Sequence, residues 1–307
     1  MNRFLEHSGA KYPIIQAPMG WMARSQLASA VSNAGGLGII ETSSGETDNC
    51  KAEIQKMAEL TDKPFGVNLP IMFLHDDSML KFICESGVRF VTTSAGSPKK
   101  FLAPLKEAGI VVYHAVPTVE AALKCAEAGV DGLVVEGGEG GGFKNPEEVS
   151  TLVLLQAIAE KVDLPLVAAG GICDGRGMAA AFALGAEAVQ MGTRFVACAE
   201  NPAHNNYKQA IVDAATDGTY MLNKTSSPCV RALKTERSAE YFNSGKMPME
   251  AFMTIKDLYF GGDMEASVAL AGQTAGLINE VKSAEDIISE TISSYNAICH
   301  RMASSTF

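Results

Sequence analysis

What most constrains the fold of this chain is a rhythm. A short, continuously apolar run rich in β-branched residues is followed by an Ala-rich amphipathic stretch, and the alternation repeats over roughly the first two-thirds of the sequence. The strand candidates are Tyr12–Gln16, Leu37–Glu41, Phe65–Leu69, Arg89–Thr93, Ile110–His114, Gly132–Glu136, Leu166–Ala169 and Ala188–Met191. Between them lie helix candidates over Arg24–Asn33, Glu46–Glu59, Ser78–Glu85, Lys99–Glu107, Val119–Glu127, Glu148–Glu160 and Gly177–Leu184. Strands apolar on both faces belong in a parallel sheet covered by helices. Five helix ends repeat one device (Asn33-Ala-Gly-Gly, Glu85-Ser-Gly, Glu107-Ala-Gly, Glu127-Ala-Gly and Ala183-Leu-Gly), which puts glycine where a left-handed cap is cheapest. Eight such units in a row favour an α/β TIM (β/α)8 barrel over an open doubly wound sheet.

Past residue 200 the rhythm stops. Residues 201–262 carry scattered Met, Lys, Ser and aromatic residues without a clear period and read as an appended lid or substrate region. Two further helical patterns, Met264–Gly276 and Ala284–Ile298, place C-terminal helices in 263–307 that return to the barrel formed by 1–200. The expected architecture is a barrel with a helical C-terminal appendage over its mouth.

Composition removes whole classes of function. Of 307 residues, 25 are Lys or Arg and 35 Asp or Glu, a net charge of −10 that lacks the basic footprint of a nucleic-acid or anionic-membrane binder. No apolar run approaches the ~18 residues of a membrane helix, and Glu6 and His7 stand where a secretory leader would have its apolar core. The 7 cysteines are an odd number without a CxxC pair, so neither a disulfide framework nor a metal site is expected and a cytoplasmic protein is. Oligomeric state is left open.

Barrel enzymes do their chemistry at the C-terminal strand ends and often hold phosphate after strands 7 and 8. Here strand 7 runs into Ala168-Ala-Gly-Gly-Ile172 and strand 8 into Gln190-Met-Gly-Thr193. Glycines let backbone approach a ligand, and N–H groups at a helix start favour an anion, so Gly170, Gly171, Gly192 and Thr193 are phosphate candidates. Strand 1 ends in the small rim Ala17-Pro-Met-Gly20, suited to a flat ring, and strand 3 aims the Asn68 amide at the same mouth. The strand-6 loop, Glu136-Gly-Gly-Glu-Gly-Gly-Gly-Phe143, carries two carboxylates, Glu136 and Glu139, either a general base or simply solvated. Met19, Met22, Met72 and Met79 fit core filling or an apolar pocket, and Cys173 reads as an inert thiol. Lys224, Arg231 and Lys234 read as solvated charges or as attractors of a carboxylate.

Pro13-Ile-Ile-Gln-Ala-Pro-Met19, Ser32-Asn-Ala-Gly-Gly-Leu-Gly38, Thr61-Asp-Lys-Pro-Phe-Gly-Val-Asn68, the strand-6 loop, Ala168-Ala-Gly-Gly-Ile172, Gln190-Met-Gly-Thr193 and Ala271-Gly-Gln-Thr-Ala-Gly276 occur in that order. This set resembles the nitronate monooxygenase (2-nitropropane dioxygenase) family, which includes flavin-dependent enoyl-ACP reductases. The resemblance implies FMN held non-covalently at the mouth. By motif, Ala17, Pro18 and Met19 would lie beside the ring and Asn68 would hydrogen-bond it. Glu136 would stand near the ribityl chain, with Gly141 and Gly142 as its wall. Gly170, Gly171, Gln190, Met191, Gly192 and Thr193 would hold the phosphate, and Gln273 and Gly276 would return the late motif to the flavin. One departure matters: where many relatives carry a histidine that moves a proton, this chain has Phe143, leaving His114 at the end of strand 5 as the first candidate replacement.

The resemblance therefore implies an FMN-dependent oxidoreductase acting on a small-molecule substrate. Oxidation of alkyl nitronates by O2 is the leading expectation, because a nitronate is already deprotonated and needs no base at position 143. The alternative is NAD(P)H-dependent reduction of an enoyl thioester or a quinone, which Val91-Thr-Thr-Ser-Ala-Gly96 and Asn201-Pro-Ala-His204 also suit.

Overall fold

The computed structural model describes residues 2–74 and 76–305. In chain order the first half runs α1 (Arg3–Ser8), β1 (Ile14–Gln16), α2 (Ser25–Asn33), β2 (Gly38–Ile40), α3 (Thr47–Leu60), β3 (Phe65–Pro70), α4 (Ser78–Glu85), β4 (Phe90–Ser94), α5 (Lys99–Glu107), β5 (Val111–Val116) and α6 (Val119–Ala128). It continues with β6 (Gly132–Glu136), β7 (Gly142–Phe143), α7 (Thr151–Ala159), β8 (Leu166–Ala169), α8 (Gly175–Ala183), β9 (Ala188–Met191) and α9 (Thr193–Val196). Eight strands pair in parallel in the order β1-β9-β8-β6-β5-β4-β3-β2, which is the expected TIM barrel. The five cap glycines, Gly35, Gly87, Gly109, Gly129 and Gly185, all have φ between 71° and 100°, the region where a Cβ is penalised.

The seam between β1 and β2 closes the ring through an Ile15–Leu37 bridge rather than a full ladder. The buried Gln16 side chain completes it: its amide nitrogen donates to the Ile39 carbonyl (3.2 Å) and its oxygen accepts from the Ile39 N–H (3.2 Å). A side-chain amide thus supplies hydrogen bonds that the short strands leave unmade.

Alternate residues of each strand face opposite ways. Ile15, Leu37, Ile39, Phe90, Tyr113, Val134, Val167 and Ala188 fill the lumen. Ile14, Val67, Val91, Val112, Leu133, Leu166 and Val189 face the helices and meet Leu27, Ile54, Ile83, Leu105 and Leu155 there. The sequence reading missed α1, which plugs the N-terminal end of the barrel. Phe4 packs edge-on to Phe90 and Tyr113, with ring centroids 6.0 and 6.1 Å away. Arg3 holds the plug in place through Glu187 and Asp163, the residues that lead into β9 and β8.

After α9 come α10 (Asn205–Val212), β10 (Thr219–Leu222), β11 (Val230–Leu233), α11 (Glu236–Ser244), α12 (Ile255–Tyr259) and α13 (Ala284–Ala303). Two findings depart from the sequence reading. The irregular region contains a small antiparallel sheet, β10-β11-β7, whose last strand comes from the loop after β6. The expected helix over 264–276 is largely absent: only a single 3-10 stretch, Gln273–Leu277, touches it. The backbone there serves other partners, with Leu233 N–H donating to Ala269 O (2.8 Å), Tyr207 OH to Leu270 O (2.5 Å) and Gln273 N–H to Glu139 O (2.9 Å). Helix α13 packs against α8 and α2 and so completes the outer ring. The segment between β9 and α13 is in effect an insertion in the eighth βα loop, standing on the mouth. No helix among the described residues is long and apolar enough to cross a membrane.

Candidate active site

Every barrel strand delivers its C-terminal end to one mouth, and strand parity decides which side chains look in. Asn68 shares the inward parity of Gly66 and is buried; its amide nitrogen donates to the Thr92 hydroxyl (3.0 Å) and carbonyl (3.2 Å) on β4. Glu136 follows the inward-facing Val134 and is one-third exposed. Gln190 and Gly192 share the inward parity of Ala188.

Parity also turns two of the candidate side chains away from the lumen. Met191 points outward into the helix layer and offers the mouth only its carbonyl, which accepts from the Ala17 N–H (2.9 Å). His114 does not reach the lumen: it alternates with the inward Tyr113 and shares the outward parity of Val112 and Val116. Burial pushes its imidazole down to about 4, and its Nδ1 sits 2.7 Å from the Thr93 hydroxyl. It is a neutral, satisfied histidine among the outer packing. Glu139 is likewise engaged, its carboxylate accepting from the Thr151 N–H (2.9 Å) and hydroxyl (3.1 Å) at the start of α7.

The glycine loops divide by what their missing side chains make room for. A Cβ on Gly141 would lie 2.6 Å from the Ala271 carbonyl carbon, and one on Gly170 would lie 3.0 Å from Gly140 N, so those two admit neighbouring backbone. Gly192 is different. Its φ of −101° suits any residue, and the nearest atom to an added Cβ is the Ala17 Cβ at an ordinary 3.6 Å. Gly171, at φ +75°, likewise has nothing nearer than Glu139 at 3.5 Å. The protein's own packing therefore leaves space over Gly171 and Gly192, a cradle that side chains would fill. Thr193 sits beside it; its hydroxyl oxygen accepts from Gly272 N–H (2.8 Å), which leaves the hydroxyl proton free to donate. The late motif reaches the cradle through Gly272. Gln273 is exposed, and Gly276 lies against Thr216 and Ala215 of the insertion instead. These contacts fit a phosphate-bearing ligand with a flat ring reaching toward Ala17–Met19 and Asn68.

Two features, Glu41 and Lys144, escaped the sequence reading, and a third, Arg231, lies elsewhere than the solvent. Glu41, fully buried at the end of the second strand region, pairs with Arg24 (2.8 Å) and accepts from the N–H groups of Trp21 (3.1 Å), Ser43 (2.6 Å) and Ser44 (3.1 Å). It holds Trp21 at φ +61°, a conformation costing a bulky residue roughly 1–3 kcal/mol, at the rim of the site. An acidic residue closing an apolar strand was the available signal. Arg231 is not a solvated charge: it is buried and donates to Gly138 O (2.8 Å), Thr219 (3.2 Å) and Glu148 (2.9 Å), tying the insertion to the loop after β6. Lys144, one residue past the quoted motif, is buried and ion-paired with Glu136.

Phe143 joins a rim of aromatic rings. Its ring lies 6.0 Å from that of Phe73 and 5.6 Å from that of Phe252, and it is 48% exposed. Met72, Met249 and Met253 beside them in sequence are exposed as well, while Met22 and Met79 are core. Burial pushes the Cys173 thiol up to about 12, so it is inert. Among the described residues no cluster of three or more His, Cys, Asp or Glu could hold a metal ion.

Fold and mouth together define a barrel of the kind that takes its ligand at the strand ends. The chain belongs to the nitronate monooxygenase family, whose model matches residues 2–79 and 70–293. It is 32% identical to a nitronate monooxygenase of Pseudomonas aeruginosa, over 92% of this chain and 96% of that protein. It is 31% identical to a (3aS,4S,5R,7aS)-5-hydroxy-7a-methyl-1-oxo-octahydro-1H-indene-4-carboxyl-CoA dehydrogenase of Mycobacterium tuberculosis, over 97% and 96%. The solved FabK of Thermotoga maritima superposes with a TM-score of 0.93 at 37% identity, over 99% of this chain and 98% of that one. The protein is an oxidoreductase of this family.

Proposed function

We propose that this oxidoreductase binds FMN and exchanges hydride between NAD(P)H and a thioester-activated substrate that carries a bulky apolar group. The aromatic rim carries this reading. Phe73, Phe143 and Phe252 come from the loops after β3 and β6 and from the insertion; the first two are exposed, the third is half-buried beneath Phe143, and together they offer an apolar surface. Apolar groups that leave water against such a surface gain about 25 cal/mol per Å2, so it favours a large hydrocarbon substituent over a small anion. The relative named as a carboxyl-CoA dehydrogenase supports the same substrate class. Bound FMN would supply the two-electron exchange, with NAD(P)H as reductant and the activated double bond as acceptor.

The chain's own part is positional. Gly171, Gly192 and Thr193 would hold the phosphate, Asn68 and the Ala17–Met19 rim would fix the ring, and the aromatic residues would orient the apolar group and exclude water. A second reading, oxidation of a nitronate by O2, draws support from one observation: position 143 bears no proton-transferring group and His114 faces away from the mouth, as suits a substrate already deprotonated.

Anaerobic mixing decides between them. The purified protein should release FMN on denaturation, bleach with NADH or NADPH, and reoxidise faster with enoyl-CoA substrates as their apolar portion grows. Flavin indifferent to both nicotinamides but turned over by propionate 3-nitronate in air would replace this reading with the second.

A further inference from the structure

The loop after β6 pairs with the insertion as β7, in a register that sets Phe143 opposite Val230 and Gly142 opposite Arg231, and Lys144 N–H donates to Cys229 O (2.9 Å). Successive residues of an extended strand point to opposite faces. Phe143 turns to the aromatic rim, and Lys144 turns the other way, onto Glu136. The Lys144 side chain is only 3% exposed. A Cβ on Gly140 would lie 2.7 Å from Glu136 Oε1 and 2.8 Å from Lys144 Nζ, so that glycine is the residue that makes room for the pair. The neighbouring charges are committed elsewhere: Glu139 to Thr151, and Glu148 to Arg231 and Lys224.

An ammonium group withdrawn from water is costly unless it is paired and its protons are hydrogen-bonded, and one carboxylate that is itself one-third exposed is modest compensation. Glu136 is the inward residue at the end of β6, in register with Ala169, two residues before Gly171 of the cradle. We infer that Lys144 is a cofactor-side cation: with Glu136 it would stand beside FMN at the end of β6, where its charge would both tighten FMN and raise the flavin's reduction potential. This rests on the FMN reading above. In this chain the loop acts on the cofactor by fixed charge, in place of a proton-transferring ring at position 143.

The test uses the whole apoprotein with FMN and two readouts, the dissociation constant from fluorescence quenching and the midpoint potential from dye-coupled anaerobic reduction. Lys144→Met should weaken FMN by about fivefold or more and lower the potential, and Lys144→Arg should restore much of both. Glu136→Gln should shift the potential in the opposite direction, because it leaves the ammonium unopposed. That opposition of sign is what a merely structural clamp would not produce, and it remains readable should the methionine variant fold poorly. If both variants keep the wild-type potential while wild type binds FMN, the inference fails and the FMN reading stands. If wild type binds no flavin, both fail.

Discussion

The two ends of the barrel are built from opposite materials. At the N-terminal end Phe4, Phe90 and Tyr113 interlock around the axis, sealed by α1 and its Arg3 ion pairs. At the C-terminal end the inward positions carry Asn68, Glu136 and Gln190, the loops are glycine-rich, and Trp21 is held in a strained conformation by a buried carboxylate. One end can be optimised for packing because nothing passes through it. The other gives up apolar burial for groups that meet a ligand.

That contrast breaks most easily at the plug. Phe4→Ala removes a fully buried ring and should cost about 3–5 kcal/mol of stability in denaturant unfolding, with FMN affinity of the folded fraction unchanged. Equal losses in both would mean that the two ends are coupled.

A second test separates the two faces of one strand end. His114 is buried neutral, with its folded pKa pushed from the ordinary 6.5 down to about 4. The unfolded chain therefore binds more protons across that window, so stability falls as pH drops from about 6.5 toward 4, by about 3 kcal/mol at most for this group. His114→Gln should flatten that stretch of the stability–pH curve while leaving FMN affinity near the wild-type value. A steep loss of flavin binding would return His114 to the site.

The smallest expected effect probes the cradle. Gly192→Val has backbone angles a branched residue tolerates, so its penalty should fall on the ligand: FMN affinity lower by at least about tenfold, some 1.4 kcal/mol, with unfolding changed by less than about 1 kcal/mol. Unchanged FMN affinity would place the phosphate elsewhere.

The barrel was legible in the sequence because its signals are local. β-Branched runs, Ala-rich periods and cap glycines act within a few residues, and all eight strands lie where the pattern puts them, with no end shifted by more than two positions. The glycine loops and Asn68 were legible for the same reason, since strand ends follow from counting, whereas which residues of a strand face the lumen is set by packing. The segment over 264–276 was misread because its small, helix-tolerant residues give their backbone hydrogen bonds to Leu233, Tyr207 and Glu139, partners remote in sequence.

What the sequence by itself determined was the number of βα units, their order and the end of the barrel to which the glycine loops and Asn68 are brought. The tertiary structure alone decided that His114 looks outward, that Arg231 is buried and that Lys144 meets Glu136. Burial and charge pairing depend on which segments cross in space, and the strand that turns Lys144 inward exists only because β11, nearly 90 residues further on, pairs with the loop after β6.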